Sequence, residues 1–169
     1  IQVESKILDY MHRDREAAKG LLGHVVALLP ALSSAFETIK NEEVSLLGIT
    51  CLLNVYFIIS PAHFGKFIEK MKPEKAIKFL SQQCQMMFVW CCGKTYPENW
   101  FSLKMFQMAT VKKMLLSISE AIKRTPGTWD EELRSLWLNF FQAGFAFLDC
   151  SVLKLEAFSA AKQALIRDK

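Results

Sequence analysis

The chain has 169 residues, of which 51% are hydrophobic and 12% aromatic, enough apolar mass for a sizeable core and too much for a disordered segment. Only 7 Gly and 5 Pro interrupt it, so its elements are long, which favours helices over the many short strands of a sandwich or barrel. The formal net charge is +4, spread along the chain without a long basic run or interleaved exposed aromatics, which gives nucleic-acid binding no positive signal.

Residues 2–19 read as a first helix, with Ile7, Leu8, Met11 and Ala18 on one stripe and Asp14, Arg15 and Glu16 facing water. Gly20 and Gly23 mark a break. Residues 21–40 read as a second helix with Leu22, Val25, Val26, Leu29, Leu32 and Phe36 near one face. Pro30 inside it predicts a kink or a split, because proline lacks an N–H and clashes with the preceding turn. Asn41 is placed to cap a third helix over 42–60, whose Glu42 and Glu43 suit the positive end of a helix dipole.

That third helix is apolar all round, from Leu46 and Leu47 to Ile58 and Ile59. A membrane span and a core helix held between neighbours compete here. The run from Val44 to Ser60 is shorter than the roughly 20 residues a bilayer needs. Asn54 interrupts it, and no basic or aromatic flanks support a span. The core helix is the better reading.

Pro61 reads as the end of that helix, with a short amphipathic helix following over 63–71. Pro73 opens the next helix as its first residue, Glu74 beside it, and Gly93 closes it near Cys92. By the same logic Thr95-Tyr96-Pro97-Glu98 starts a helix running to Arg124, with Lys123 and Arg124 at its negative end. Thr125-Pro126-Gly127 is a turn, and Thr128 with Glu131 spells a capping box for a helix carrying Leu133, Leu136, Trp137, Phe140, Phe141, Phe145 and Leu148. The chain turns around 149–151, and a last helix over 152–167 carries Leu153, Leu155, Phe158, Ala161 and Leu165.

Around eight helices with short joints predict an all-α fold: an irregular armadillo- or HEAT-like stack of antiparallel helix pairs, spaced near the roughly 40–47 residues of such repeats. A closed helical bundle is the alternative. Residues 1–169 read as one helical-repeat segment. The chain opens at Ile1 directly into helix-like sequence, without a signal-peptide pattern, and reads as a segment of a larger intracellular protein.

Chemistry-bearing motifs are scarce. Five cysteines, Cys51, Cys84, Cys91, Cys92 and Cys150, include no Cys-x-x-Cys pair, so buried reduced thiols are expected rather than disulfides or a zinc site. The three histidines, His12, His24 and His63, form no metal-ligand spacing. A glycine-rich phosphate loop and a nucleophile elbow are both absent. Catalytic, cofactor-binding and metal-binding residues are therefore assigned to no position, and no cofactor is expected. Met86, Met87, Met105, Met108 and Met114 suit either a plastic groove or core packing, and helical spacing favours the core. Trp100 and Trp137 are expected to anchor that core.

Two blocks of sequence carry a family resemblance. The first is Lys94-Thr95-Tyr96-Pro97-Glu98-Asn99-Trp100, followed by Met105 and Gln107. The second is Leu136-Trp137-Leu138-Asn139-Phe140-Phe141, then Ala146-Phe147-Leu148, then Leu153-Lys154-Leu155-Glu156-Ala157-Phe158-Ser159-Ala160-Ala161-Lys162. In this order and spacing, residues 63–166 resemble the dedicator of cytokinesis (DOCK) family, most closely the Rac-directed branch that partners with ELMO proteins. The resemblance implies a helical scaffold between a phosphoinositide-binding region and the catalytic exchange region. It implies a whole protein that expels GDP from Rac-type GTPases and drives actin remodelling in cell migration and in engulfment of apoptotic cells. ELMO-type adaptor, GTPase and phosphoinositide membrane would be met through other regions of a cytoplasmic protein recruited to the plasma membrane, with room for a homodimer. No residue here matches the exchange loop, so this segment is expected to be no enzyme. A stand-alone helical adaptor, or protein-interaction module, is the alternative.

Overall fold

The computed structural model describes residues 29–31, 42–93, 95–97, 99–125 and 130–153. Side chains 42–45 lie outside this description, as do Asn41, the helix expected over 2–19, most of that over 21–40, and the part of the last helix beyond Leu153. Among the described residues the fold is all-α: α1 (Glu42–Ile58), α2 (Pro61–Glu69), α3 (Pro73–Cys92), α4 (Phe101–Arg124), α5 (Glu131–Asp149) and a 3₁₀ turn (Ser151–Leu153). Leu29, Pro30 and Ala31 are also helical, and Leu29 is fully buried in the common core.

Three helix boundaries differ from the sequence reading. Pro61 does not end α1; it opens α2, and α1 already stops at Ile58. Ser60, the residue before proline, is pushed into extended backbone at φ −75°, ψ 152°. There its Oγ accepts the His63 amide at 3.2 Å, capping a helix whose first residue is Pro61. The expected start at Thr95–Glu98 is replaced by one at Phe101. Tyr96 also precedes a proline, Pro97, and its side chain is held in the core. The Trp100 amide then donates to the Pro97 carbonyl at 3.0 Å, closing a turn before the helix begins. Finally, the Thr128–Glu131 capping box is not the start of α5. Asp130 holds the N-cap position, its Oδ1 accepting the Leu133 amide at 2.9 Å, while Thr128 lies outside the described residues. Asp130 wins because its carboxylate and the Glu131–Glu132 pair meet the exposed amides and positive end of the dipole together.

Gly93 does close α3, in extended rather than left-handed backbone. A Cβ there would lie 2.8 Å from the Val89 carbonyl oxygen, which the Gly93 amide itself approaches at 2.7 Å. Close approach, not a positive φ, selects glycine.

Side-chain contacts give the directions of the helices. Tyr56 donates to Gln83 and meets Trp90 edge-on at 6.1 Å, while Phe64 and Phe67 further along lie against Phe79. The chain therefore advances through α1 and then α2 in the sense opposite to α3. Phe57 packs on Phe106 at 4.9 Å, and Glu69 reaches Arg124 at 3.7 Å, so the chain passes from α1 to α2 in the same sense as α4 advances, although the two helices are bent by 94° to each other. Glu74, Lys75 and Lys78 share a cleft with Glu131, Glu132 and Ser135. Further along, Asn139 donates to Ser81 at 2.5 Å, so α3 and α5 also run parallel. The α1–α2 arm and α4 form one layer, and α3 and α5 the other. Sequence neighbours cross between layers and reverse, which is the arrangement of a helical-repeat stack. Equivalent helices begin at Pro73 and Glu131, roughly 60 residues apart, a longer repeat than the expected spacing because α4 alone has 24 residues.

One core threads both layers. Leu52, Leu53 and Tyr56 of α1, Leu80, Cys84 and Met87 of α3, Leu103, Met114 and Ile118 of α4, and Leu136 of α5 belong to it. Among the described residues no single helix is long and apolar enough to cross a membrane; α1 and α2 reach the required length only as a pair bent by 94°. α1 turns Leu52, Leu53 and Tyr56 into the core beside α3 and α4, as the core-helix reading expects, while Leu47 stays exposed.

Candidate interaction surface

The first motif block is an internal clamp. Tyr96 is 3% exposed, and its hydroxyl lies 2.9 Å from Thr50 Oγ1 on α1. Burial pushes the Tyr96 phenol up to about 12, partly opposed by the Thr50 hydrogen bond. Gln107 of α4, also buried, donates from Nε2 to the Trp90 carbonyl at 2.9 Å and to Thr95 Oγ1 at 3.1 Å. The Tyr-Pro segment is thus fastened to α1, α3 and α4 at once. Trp100 stacks on Tyr96 at 6.3 Å and is half-buried.

Each described methionine of the Met-rich stretch is buried or half-buried: Met87, Met108 and Met114 in the core, Met86 and Met105 at its margin. Core packing, not an open groove, is their use. The expectation that the thiols are buried holds for Cys84, Cys91 and Cys150 but fails for Cys51 and Cys92. Cys51 sits on the outer face of α1, and Cys92 on the last turn of α3, one residue round from buried Cys91. Burial raises the Cys84 thiol to about 12 and, with smaller contributions from Cys150 and Cys92, the Cys91 thiol to about 12. Such thiols stay protonated and unreactive at neutral pH. Of the histidines, His12 and His24 lie outside the described residues. His63 is exposed, its Nδ1 2.6 Å from Ser60 Oγ, where it supports the α2 cap. Among the described residues no three His, Cys, Asp or Glu side chains gather as metal ligands.

What the structure leaves open is apolar surface on α5. Leu133, Leu136 and Ala143 are its buried positions. Leu138, Phe141, Phe145 and Leu148, spaced as one helical stripe, are 51–74% exposed. Isolated exposed apolar residues are ordinary, but a contiguous row marks a contact surface. Part of the row faces a groove of about 300 Å³ between α4 and α5, whose walls include Leu115, Leu116, Phe140 and Phe147, with Lys112 also lining it. A second hollow lies beside Arg134, Trp137, Leu138 and Phe141. Trp137, expected in the core, is half-buried here and stacks on Phe141 at 5.6 Å. The fully enclosed role falls to Trp90, which sits between α1 and α4. In the sequence the two tryptophans look alike; only the neighbours of each helix separate them.

The second motif block thus divides between inner and outer faces. Leu136 is buried, Asn139 ties α5 to α3, and Phe141 and Leu148 face outward. The chain matches the family model described as the dedicator of cytokinesis (DOCK) TPR region over residues 2–169. It belongs to the DOCK family. The match extends the likeness carried by the two blocks back across the N-terminal third of the chain. No solved structure matches the chain. Within this DOCK segment the first block locks the helical stack internally, and the second both locks α5 in place and presents its apolar row.

Proposed function

We propose that this DOCK-family segment is a non-catalytic helical scaffold of a guanine-nucleotide exchange factor for Rac-type GTPases, lying upstream of the catalytic exchange region. The observation that carries the reading is the match to the DOCK TPR region along residues 2–169, on a chain whose first motif block ties helices together and whose second joins α5 to α3 through Asn139. In this reading the segment spaces and orients the other regions of its protein. A phosphoinositide-binding region would bring the cytoplasmic protein to the plasma membrane, and an ELMO-type adaptor would engage it elsewhere. Actin remodelling in migration and engulfment would follow from GTPase activation. Stiffness suits such a role: a two-layer stack with one continuous core and buried hydrogen-bonded cross-ties such as Tyr96–Thr50 transmits position with little give.

The test is release of fluorescent GDP from a Rac-type GTPase. Residues 1–169 alone are expected to leave the intrinsic rate unchanged, whereas the longer protein containing them accelerates it. Acceleration by residues 1–169 would overturn the scaffold reading. The exposed row on α5 favours a second reading, a helical adaptor whose surface takes a partner's apolar helix. A natural protein in which this segment works without an exchange region would select it.

A further inference from the structure

Three of the five cysteines gather where α3 and α5 end. These two helices run parallel, and their register is fixed at two levels: Lys78 and Ser135 line one cleft, and Asn139 donates to Ser81 at 2.5 Å. Eleven residues further along each helix stand Cys92, the last residue of α3, and Cys150, the C-cap of α5. Eleven residues make three helical turns and about 20° more, at about 100° per residue, so both cysteines return to the faces on which the Ser81–Asn139 bond is made. The Cys150 amide donates to the Phe147 carbonyl at 3.3 Å, which keeps the chain close to the helix path as far as that residue. Cys91, beside Cys92, has its thiol raised in part by Cys150, in keeping with helix ends that lie level. The thiols differ in access: Cys92 is exposed, whereas Cys91 and Cys150 are buried. Peroxide chemistry calls for that division, a reachable thiol to take the oxidant and a second beside it to resolve the product.

We propose that Cys92 and Cys150 form a peroxide-sensitive pair, Cys92 taking the oxidant and Cys150 closing a disulfide that ties the end of α3 to the end of α5. The Cys92 thiolate attacks one oxygen of hydrogen peroxide and the O–O bond breaks. Cys92 becomes a sulfenic acid, and the other oxygen leaves as hydroxide, which takes up the proton that Cys92 released. The Cys150 sulfur then attacks the Cys92 sulfur, the S–O bond breaks, and the hydroxyl departs with the Cys150 proton as water. Together the two thiols lose two electrons and one peroxide becomes two waters. The bond would hold the two helices of one layer against sliding past each other. The inference rests on the register of α3 and α5 and not on the exchange-factor reading, so either can fail without the other.

Peptide mapping of the 169-residue chain tests it, with exposed Cys51 replaced by serine to leave Cys92 as the open thiol among the described residues. After hydrogen peroxide, alkylation and trypsin, peptides 79–94 and 135–154 are expected as one joined mass that a reductant splits. Peptide 79–94 also holds Cys84 and Cys91, so variants assign the bond. Cys92→Ser should bring the joined mass down to the level of the untreated chain, and Cys91→Ser should leave it in place. In Cys150→Ala the sulfenic acid has lost its partner, so dimedone should be captured on Cys92 while buried Cys84 stays unmodified, which reports an intact core. Where Cys150→Ala exposes Cys84, Cys150→Ser serves instead. Absence of the joined mass in the parent chain would overturn the proposal, as would its loss in Cys91→Ser with retention in Cys92→Ser. Dimedone that fails to mark Cys92 would overturn it too, and so would a joined mass found only in disulfide-linked dimers.

Discussion

Helices α4 and α5 are both rich in large apolar residues, yet they end in opposite circumstances. α4 buries Leu103, Met108, Val111, Met114, Leu115, Ile118, Ala121 and Ile122, because the α1–α2 arm flanks it in its own layer and α3 and α5 cover it from the other. α5 has α3 on one side and leaves Leu138, Phe141, Phe145 and Leu148 uncovered by the described residues. The difference is one of place in the stack. In a repeat array each helix is completed by its neighbours, so the last of the described helices shows a face that an inner helix buries.

That contrast can be broken from its interior side first. Alkali should have the largest effect. Cys84 and Cys91 are raised from 9.0 to about 12 and Tyr96 from 10.0 to about 12, all by burial of a group that is neutral when protonated. Each folded-state value lies above its unfolded one, so the stabilisation is complete below about pH 9 and is lost as pH rises toward 12. Urea midpoints should fall steeply between pH 9 and 12, and Cys84→Ala should flatten that slope. An unchanged slope would mean that Cys84 is not enclosed.

Trp90→Ala comes next. It empties a position only 5% exposed and should cost about 3–5 kcal/mol in thermal or denaturant unfolding. The same change at half-buried Trp137 should cost less, about 1–2 kcal/mol, since part of that ring already meets water. Equal losses would erase the distinction between the two tryptophans. Gln107→Leu follows, at about 1–3 kcal/mol, because it removes the buried donor that serves both the Trp90 carbonyl and Thr95. The smallest effect belongs to the outer face. Leu138→Ser, at 57% exposure, should shift stability by no more than about 0.5 kcal/mol while reducing binding of a hydrophobic dye. A large loss of stability there would show that α5 has a partner at that position.

Much of this was legible in the residues. Pro73 and Gly93 bracket α3 as local chemistry requires, and the continuous apolar character of residues 46–59 already demanded a helix covered on several sides. Elsewhere a local rule met a stronger competitor. Pro61 could equally end one helix or begin another, and the Ser60 hydroxyl on the His63 amide decided for the second. Thr95 to Glu98 has good helix-start residues, but Tyr96 is worth more in the core, bonded to Thr50, than as the first turn of a helix. The Thr128–Glu131 pair was outcompeted by Asp130, two positions on, whose Oδ1 takes the Leu133 amide. Two of these outcomes are choices between rival local caps three residues from their partners, whereas the Tyr96 tie spans 46 residues and no local spacing reveals it.

By itself the sequence determined the all-helical class, because sparse Gly and Pro with apolar spacing of about 3.6 residues leave few alternatives, and it determined the family through two ordered motif blocks. Only the tertiary structure decided which apolar faces are spent. Periodicity states that a helix has a face to bury but not against what, so the two-layer order, the burial of Trp90 over Trp137 and the open row on α5 arise from contacts between distant segments.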